Sequence, residues 1–185
     1  MTLHDFAQAH PHEFGVILAD PPWKFHTWNE INKQKSPKYD LMDLQDIKAL
    51  PVQDIAAKDC TLFLWATQAQ LHHAFETMNA WGFAFKTAGA WAKQSRTLRA
   101  WAFGTGYLLR SSAEFFLVGT RGSPKTCSHR ERNLIIAPLR EHSRKPDQLY
   151  EMIERMFPSA SRCELFARRP RDGWTSWGDT LESAT

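Results

Sequence analysis

Several features are scarce in this 185-residue chain, and each scarcity excludes something. No stretch approaches the roughly 20 apolar residues that a membrane span needs, and Met1 to His12 lacks a charged segment followed by an apolar core. A soluble, cytoplasmic protein with no membrane association is expected. The three cysteines, Cys60, Cys127 and Cys163, are odd in number and widely spaced, which fits neither a disulfide framework nor a zinc ligand set. His72-His73 and His129 have no cysteine or carboxylate at ligand spacing, so no metal is expected. There is no Gly-x-Gly-x-x-Gly turn, no internal repeat and no low-complexity segment.

What is present is enough for one globular domain over residues 1–185, since 43% of the side chains are hydrophobic. Apolar runs predict strands at Val16–Ala19, Thr61–Ala66, Phe83–Trp91, Glu114–Gly119, Leu134–Ile136 and Cys163–Ala167. Amphipathic spacing predicts helices at Leu41–Leu50, Gln68–Trp81 and Asp147–Phe157. In the last of these, Leu149, Ile153, Met156 and Phe157 form the buried stripe and Pro146 occupies the first turn. Alternation of the two kinds of element predicts an α/β fold with helices on both faces of a sheet. Two polar stretches, about 24–38 and 93–106, are long enough to be mobile loops.

Charge is unevenly distributed. The net value is only +3, yet residues 86–145 hold 12 basic against 3 acidic groups. Within this block Trp91, Trp101, Phe103 and Tyr107 lie beside Lys93, Arg96, Arg99 and Arg110. Phosphate-pairing cations beside stacking surfaces suit single-stranded or flipped-out nucleic acid. A solvated basic face over core aromatics would give the same pattern.

The most specific signal is Asp20-Pro21-Pro22-Trp23, placed where the apolar run Phe14–Ala19 ends. The crevice beyond strand carboxyl ends is where open α/β sheets bind ligands. A carboxylate and a proline carbonyl there could each accept one hydrogen of an exocyclic amine such as adenine N6. That would turn the amine's delocalised lone pair toward an electrophile. Pro22 and Trp23 would shape the pocket, the indole offering a stacking face. The same four residues also suit a rigid turn with a packed indole.

With these residues in place, the chain resembles the MT-A70 type of adenine-N6 methyltransferases from about Phe14 to Asp179. The landmarks are Asp20–Trp23, Lys38-Tyr39, Leu62–Trp65, Trp81–Phe83, Gly104–Tyr107, Glu114–Gly122, Arg140–Pro146, Glu164–Arg168, Gly173-Trp174 and Trp177-Gly178. The resemblance implies a Rossmann-like sheet of permuted order, mostly parallel, with S-adenosyl-L-methionine as cofactor. It also implies that Asp20 lies near both the target amine and the cofactor, Lys145 meets the cofactor carboxylate, Arg168 the ribose, and Tyr39 the base pocket. Asp179, where the family often has Asn, would serve the cofactor's ribose or adenine; Asp5 and Arg171 are further candidate contacts. A short chain of this type is expected to methylate N6 of adenine in DNA, as a site-specific adenine methyltransferase working alone, as a homodimer or with a partner subunit. RNA methylation and a catalytically silent nucleic-acid-binding subunit are the alternatives.

Overall fold

A computed structural model describes residues 1–24, 41–104, 106, 108–141 and 144–178. The expected loop at 24–38 falls outside these, Lys24 excepted. In chain order the elements are α1 (Leu3–Ala9), β1 (Phe14–Ala19), α2 (Leu44–Ala49), α3 (Val52–Ile55), β2 (Ala56–Ala66), α4 (Leu71–Ala80), β3 (Ala84–Gln94), β4 (Ala113–Arg121), β5 (Leu134–Pro138), α5 (Asp147–Met156), β6 (Arg162–Leu165) and β7 (Thr175–Trp177). A 3₁₀ turn at Gln68–Gln70 leads into α4, where the sequence predicts one continuous helix. Pro146 caps α5 from one residue before it rather than sitting in its first turn.

The strands form one sheet in the order β5-β3-β4-β2-β1-β6-β7. β1 runs parallel to β2 and β6, β3 to β5, and β6 to β7; only β4, between β2 and β3, is antiparallel to its neighbours. The mostly parallel α/β expectation therefore holds. β1 reads as an unbroken apolar run because both of its faces are covered. Phe14, Ile17 and Ala19 join a core with α1, α2, α3 and α4, while Val16 and Leu18 join a second core under α5. On the α5 side Trp65 packs edge-to-face on Trp91 and Phe116. Gly89 makes room for this cluster, since a Cβ there would sit 2.1 Å from the Phe116 ring.

Three elements escape the sequence reading, and one of them, α3, is a single turn of four residues. α1 is nucleated by a capping box in which the Thr2 hydroxyl accepts from the Asp5 backbone and the Asp5 carboxylate accepts from Thr2. β7 is three residues long, too short for periodicity to register. Where a loop is expected from Lys93, β3 continues to Gln94, an antiparallel bridge joins Gln94 to Trp101, and the Ala102 N–H donates to the Lys93 carbonyl at 2.7 Å. Among the described residues, no helix is long and apolar enough to cross a membrane.

Candidate active site

Asp20 follows the last residue of β1, flanked by the parallel strands β2 and β6, so its carboxylate stands at the carboxyl edge of the sheet. β4 enters the sheet from that same edge because it alone runs backwards, and Glu114, its second residue, lies opposite Trp91 near the end of β3. Lys145, two residues before α5, lies between these acids. Its ammonium donates to Asp20 Oδ2 at 2.7 Å and pairs with Glu114 Oε1 at 2.9 Å. Lys93 pairs with the other oxygen, Glu114 Oε2, at 2.7 Å. The result is a chain of alternating charge, Asp20–Lys145–Glu114–Lys93, laid over the indoles of Trp65, 5.4 Å from Lys145, and Trp91, 4.9 Å from Lys93.

Burial separates the proton affinities of the two acids. Desolvation alone would raise Glu114, but the two ammonium groups bonded to it reverse that and hold it down at about 2. Asp20 goes the other way: burial raises it, Lys145 and Arg168 oppose, and the Glu114 charge adds to the rise. Burial also disfavours the charged form of Lys145, yet Asp20 and Glu114 outweigh it and raise the ammonium's pKa. Asp20 is thus the acid of the pair with the stronger call on a proton, beside a lysine that stays ionised.

The motif is rigid. The Pro21 carbonyl accepts the Trp23 N–H at 2.8 Å, and the Pro22 carbonyl accepts the Met42 N–H at 2.9 Å. The indole of Trp23 donates to the Trp65 carbonyl at 3.1 Å and is only 5% exposed. This corrects the expectation of a stacking face: most of the ring is consumed by the core, where Ile47 and Ala66 also lie. What remains borders a cavity of about 180 Å³ together with Met42, Leu44, Gln70 and His73. The packed-turn reading describes the indole, and the acid is what remains open to a ligand.

The basic block divides in the same way. Trp91 is 2% exposed, its N–H donates to the Ala137 carbonyl at 2.9 Å, and Lys93 is paired to Glu114. Neither offers a surface to a polyanion, which corrects both assignments. Arg96, Arg99 and Arg110 are exposed, as are Trp101 at 58% and Phe103 at 74%, and the Arg110 guanidinium lies 4.4 Å from the Phe103 ring. Arg96 donates to the Arg140 carbonyl at 3.0 Å. Asp5 is a helix cap, and Arg171 is clamped to Glu154 at 2.9 Å with its guanidinium 4.7 Å from the Tyr150 ring. Tyr39, Tyr107 and Asp179 lie outside the described residues.

Glu114 was not anticipated as a site residue. The signal was available: an acid opens an apolar strand and, two residues before Phe116, shares its core-facing side. Glu164 on β6 was missed likewise. It accepts from the Tyr150 hydroxyl at 2.7 Å, and burial raises it to about 7, Tyr150 opposing and the Asp20 charge adding.

The residues around Asp20 match a zwitterionic amino-acid ligand, with carboxylates for its ammonium and Lys145 for its carboxylate. The buried Trp65 indole N–H, beside Lys145, has no partner among the described residues, as in a site that a polar ligand completes. The methionine portion of S-adenosylmethionine has this chemistry. Among the described residues no three His, Cys, Asp or Glu converge as a metal site would require.

Comparison with known proteins agrees with the geometry. The MT-A70 family model matches residues 14–180. The Arabidopsis thaliana "N(6)-adenosine-methyltransferase MT-A70-like" is 36% identical over 171 residues, which are 91% of this chain and 24% of that protein. The human "N(6)-adenosine-methyltransferase catalytic subunit METTL3" is 30% identical, over 92% of this chain and 28% of its own length. The Mycoplasma "Type II methyltransferase M.MunI" is 31% identical, over 94% of this chain and 80% of its own. The chain spans about a quarter of the plant and human relatives and most of the bacterial one. An intact Asp-Pro-Pro-Trp turn at the carboxyl edge of a mostly parallel sheet, together with a family match across nearly the whole sequence, shows that this chain belongs to the MT-A70 family.

Proposed function

We propose that this protein is an S-adenosylmethionine-dependent methyltransferase acting on N6 of adenine in DNA. The observation that carries the reading is Asp20, fixed at the end of β1 by Lys145 at 2.7 Å and raised in proton affinity by burial. The cofactor, when bound, supplies an electrophilic methyl group on a sulfonium. Lys145 would hold its carboxylate, Asp20 its ammonium side, and Arg168 and Asp179 its ribose. Lys145 engages Oδ2 of Asp20, and the other carboxylate oxygen accepts one hydrogen of the target amine. The Pro21 carbonyl, with one lone pair on the Trp23 N–H, offers its second lone pair to the other hydrogen. The amine gives up one proton as it gains the methyl group, and Asp20 is the base placed to receive it. Positioning and fixed charge supply the acceleration.

Arg99, Arg110, Trp101 and Phe103 form the proposed nucleic-acid contact, and Tyr39 and Tyr107 are proposed to border the base. A base inside a duplex cannot reach a carboxylate at this depth, so the substrate is single-stranded or the base is flipped. The match to M.MunI over 80% of that protein's length favours DNA. The second reading is RNA, favoured by the plant and human relatives, whose names specify adenosine.

The deciding experiment is transfer of labelled methyl from S-adenosylmethionine to matched single-stranded and duplex DNA and RNA, followed by nucleoside analysis. N6-methyldeoxyadenosine establishes the proposal, and N6-methyladenosine alone moves the substrate to RNA. No transfer, with no thermal shift on cofactor titration, returns the protein to a binding subunit.

A further inference from the structure

Lys145 is central to the site, yet it belongs to no helix or strand. It lies in the connection between Pro138, the end of β5, and Asp147, the first residue of α5. Within this connection the Arg140 side chain bonds both the Lys145 backbone and the first residue of α5. Arg140 Nη1 pairs with Asp147 Oδ2 at 2.5 Å, while Nη2 of the same guanidinium donates to the Lys145 carbonyl at 2.8 Å. Arg140 itself stands on a fixed base: the preceding Leu139 N–H donates to the Gln94 carbonyl at 3.0 Å, and the Arg140 carbonyl accepts from Arg96. A guanidinium suits this task because its planar fork presents two parallel donors, whereas an ammonium has no fixed geometry for a carbonyl and a carboxylate together.

We infer that Arg140 is a positioning residue for Lys145, bracketing its backbone between the end of β5 and the start of α5 so that the ammonium is delivered between Asp20 and Glu114. Without the bracket, Lys145 would have to order its own backbone to reach two carboxylates on different strands, and the ion pairs would be made only part of the time. Arg144 provides the internal control. It neighbours Lys145 and approaches the same Asp147 oxygen, but only at 3.9 Å, and its closer partner is Glu141 at 3.1 Å.

The inference rests on the methyltransferase reading for its consequence in turnover, so the primary test does not depend on activity. Carboxyl-carbon NMR titration of the ligand-free protein reads the Glu114 ionisation directly. In R140Q the Glu114 titration rises by one unit or more, R140K restores only part of the difference, and R144Q matches wild type. D147N, which keeps Arg140 but removes half of the bracket, shifts Glu114 in the same direction by less and serves if R140Q does not fold. An unshifted Glu114 in R140Q, or an equal shift in R144Q, overturns the inference. In turnover, R140Q raises the KM for S-adenosylmethionine about tenfold and leaves the KM for nucleic acid unchanged; equal rises in both also overturn it. A wild-type protein that methylates nothing would defeat the proposed function, and the titration would still decide the role of Arg140.

Discussion

At the scale of single residues, the site sets ionic groups against burial, and the sign of each effect can be worked out. Glu114 has a native pKa of about 2, below its value in an unfolded chain, so its contribution to stability is complete above pH 4.5 and is lost as pH falls toward 2. Glu114→Gln is expected to cost about 3–5 kcal/mol at neutral pH, because Lys145 and Lys93 lose a shared counter-charge in a buried setting. Denaturant melts of the variant check this. Glu164 runs in the opposite sense. Its native pKa of about 7 exceeds the unfolded value, so its contribution is complete below pH 4.5 and disappears as pH rises through 7. Glu164→Gln, which keeps an acceptor for the Tyr150 hydroxyl, should flatten the decline in stability between pH 4.5 and pH 7; an unchanged pH profile would refute the assignment. Asp20→Asn preserves shape but removes the proton acceptor. Labelled-methyl transfer should fall at least about a thousandfold while circular dichroism stays that of wild type.

Among the elements, β1, β4 and α5 are legible because their apolar periods are strong and an end of each is marked by proline or acid, whereas only Thr61–Ala66 of β2 is, its first half being polar or charged at Lys58 and Asp59. α1 is not legible, since its signature is the local pair Thr2 and Asp5 rather than a long period. Nor could the sequence tell a core tryptophan from a stacking one. The partners that bury Trp23 and Trp91 are the carbonyls of Trp65 and Ala137, each more than forty residues away in the chain. The ion chain is hidden for the same reason, its four members coming from the turn after β1, from β3, from β4 and from the approach to α5. The two classes of aromatic residue are expected to behave differently on substitution. Trp91→Ala should cost about 3–5 kcal/mol of stability through the cavity it leaves. Trp101→Ala and Arg110→Ala should leave thermal midpoints nearly unchanged while weakening nucleic-acid binding, and Arg110→Ala should also lower the salt slope by about one. Fluorescence anisotropy at several salt concentrations measures both effects.

Across the whole molecule, strand direction explains how Asp20 and Glu114, far apart in the chain, come to share Lys145. β1 lies between β2 and β6 and ends at the edge of the sheet on which the reversed β4 begins, so Asp20 and Glu114 meet there around Lys145. The reversed direction of β4 adds something separate. The chain leaves the end of β3 and returns to the start of β4 on a single edge of the sheet, so the excursion between them never has to cross the body of the protein. Its length and composition are therefore uncoupled from the fold. Under the proposed function, that would let the excursion act as an interchangeable reading head, through which one scaffold could change targets without rebuilding the acid, the lysine or the strand that carries them.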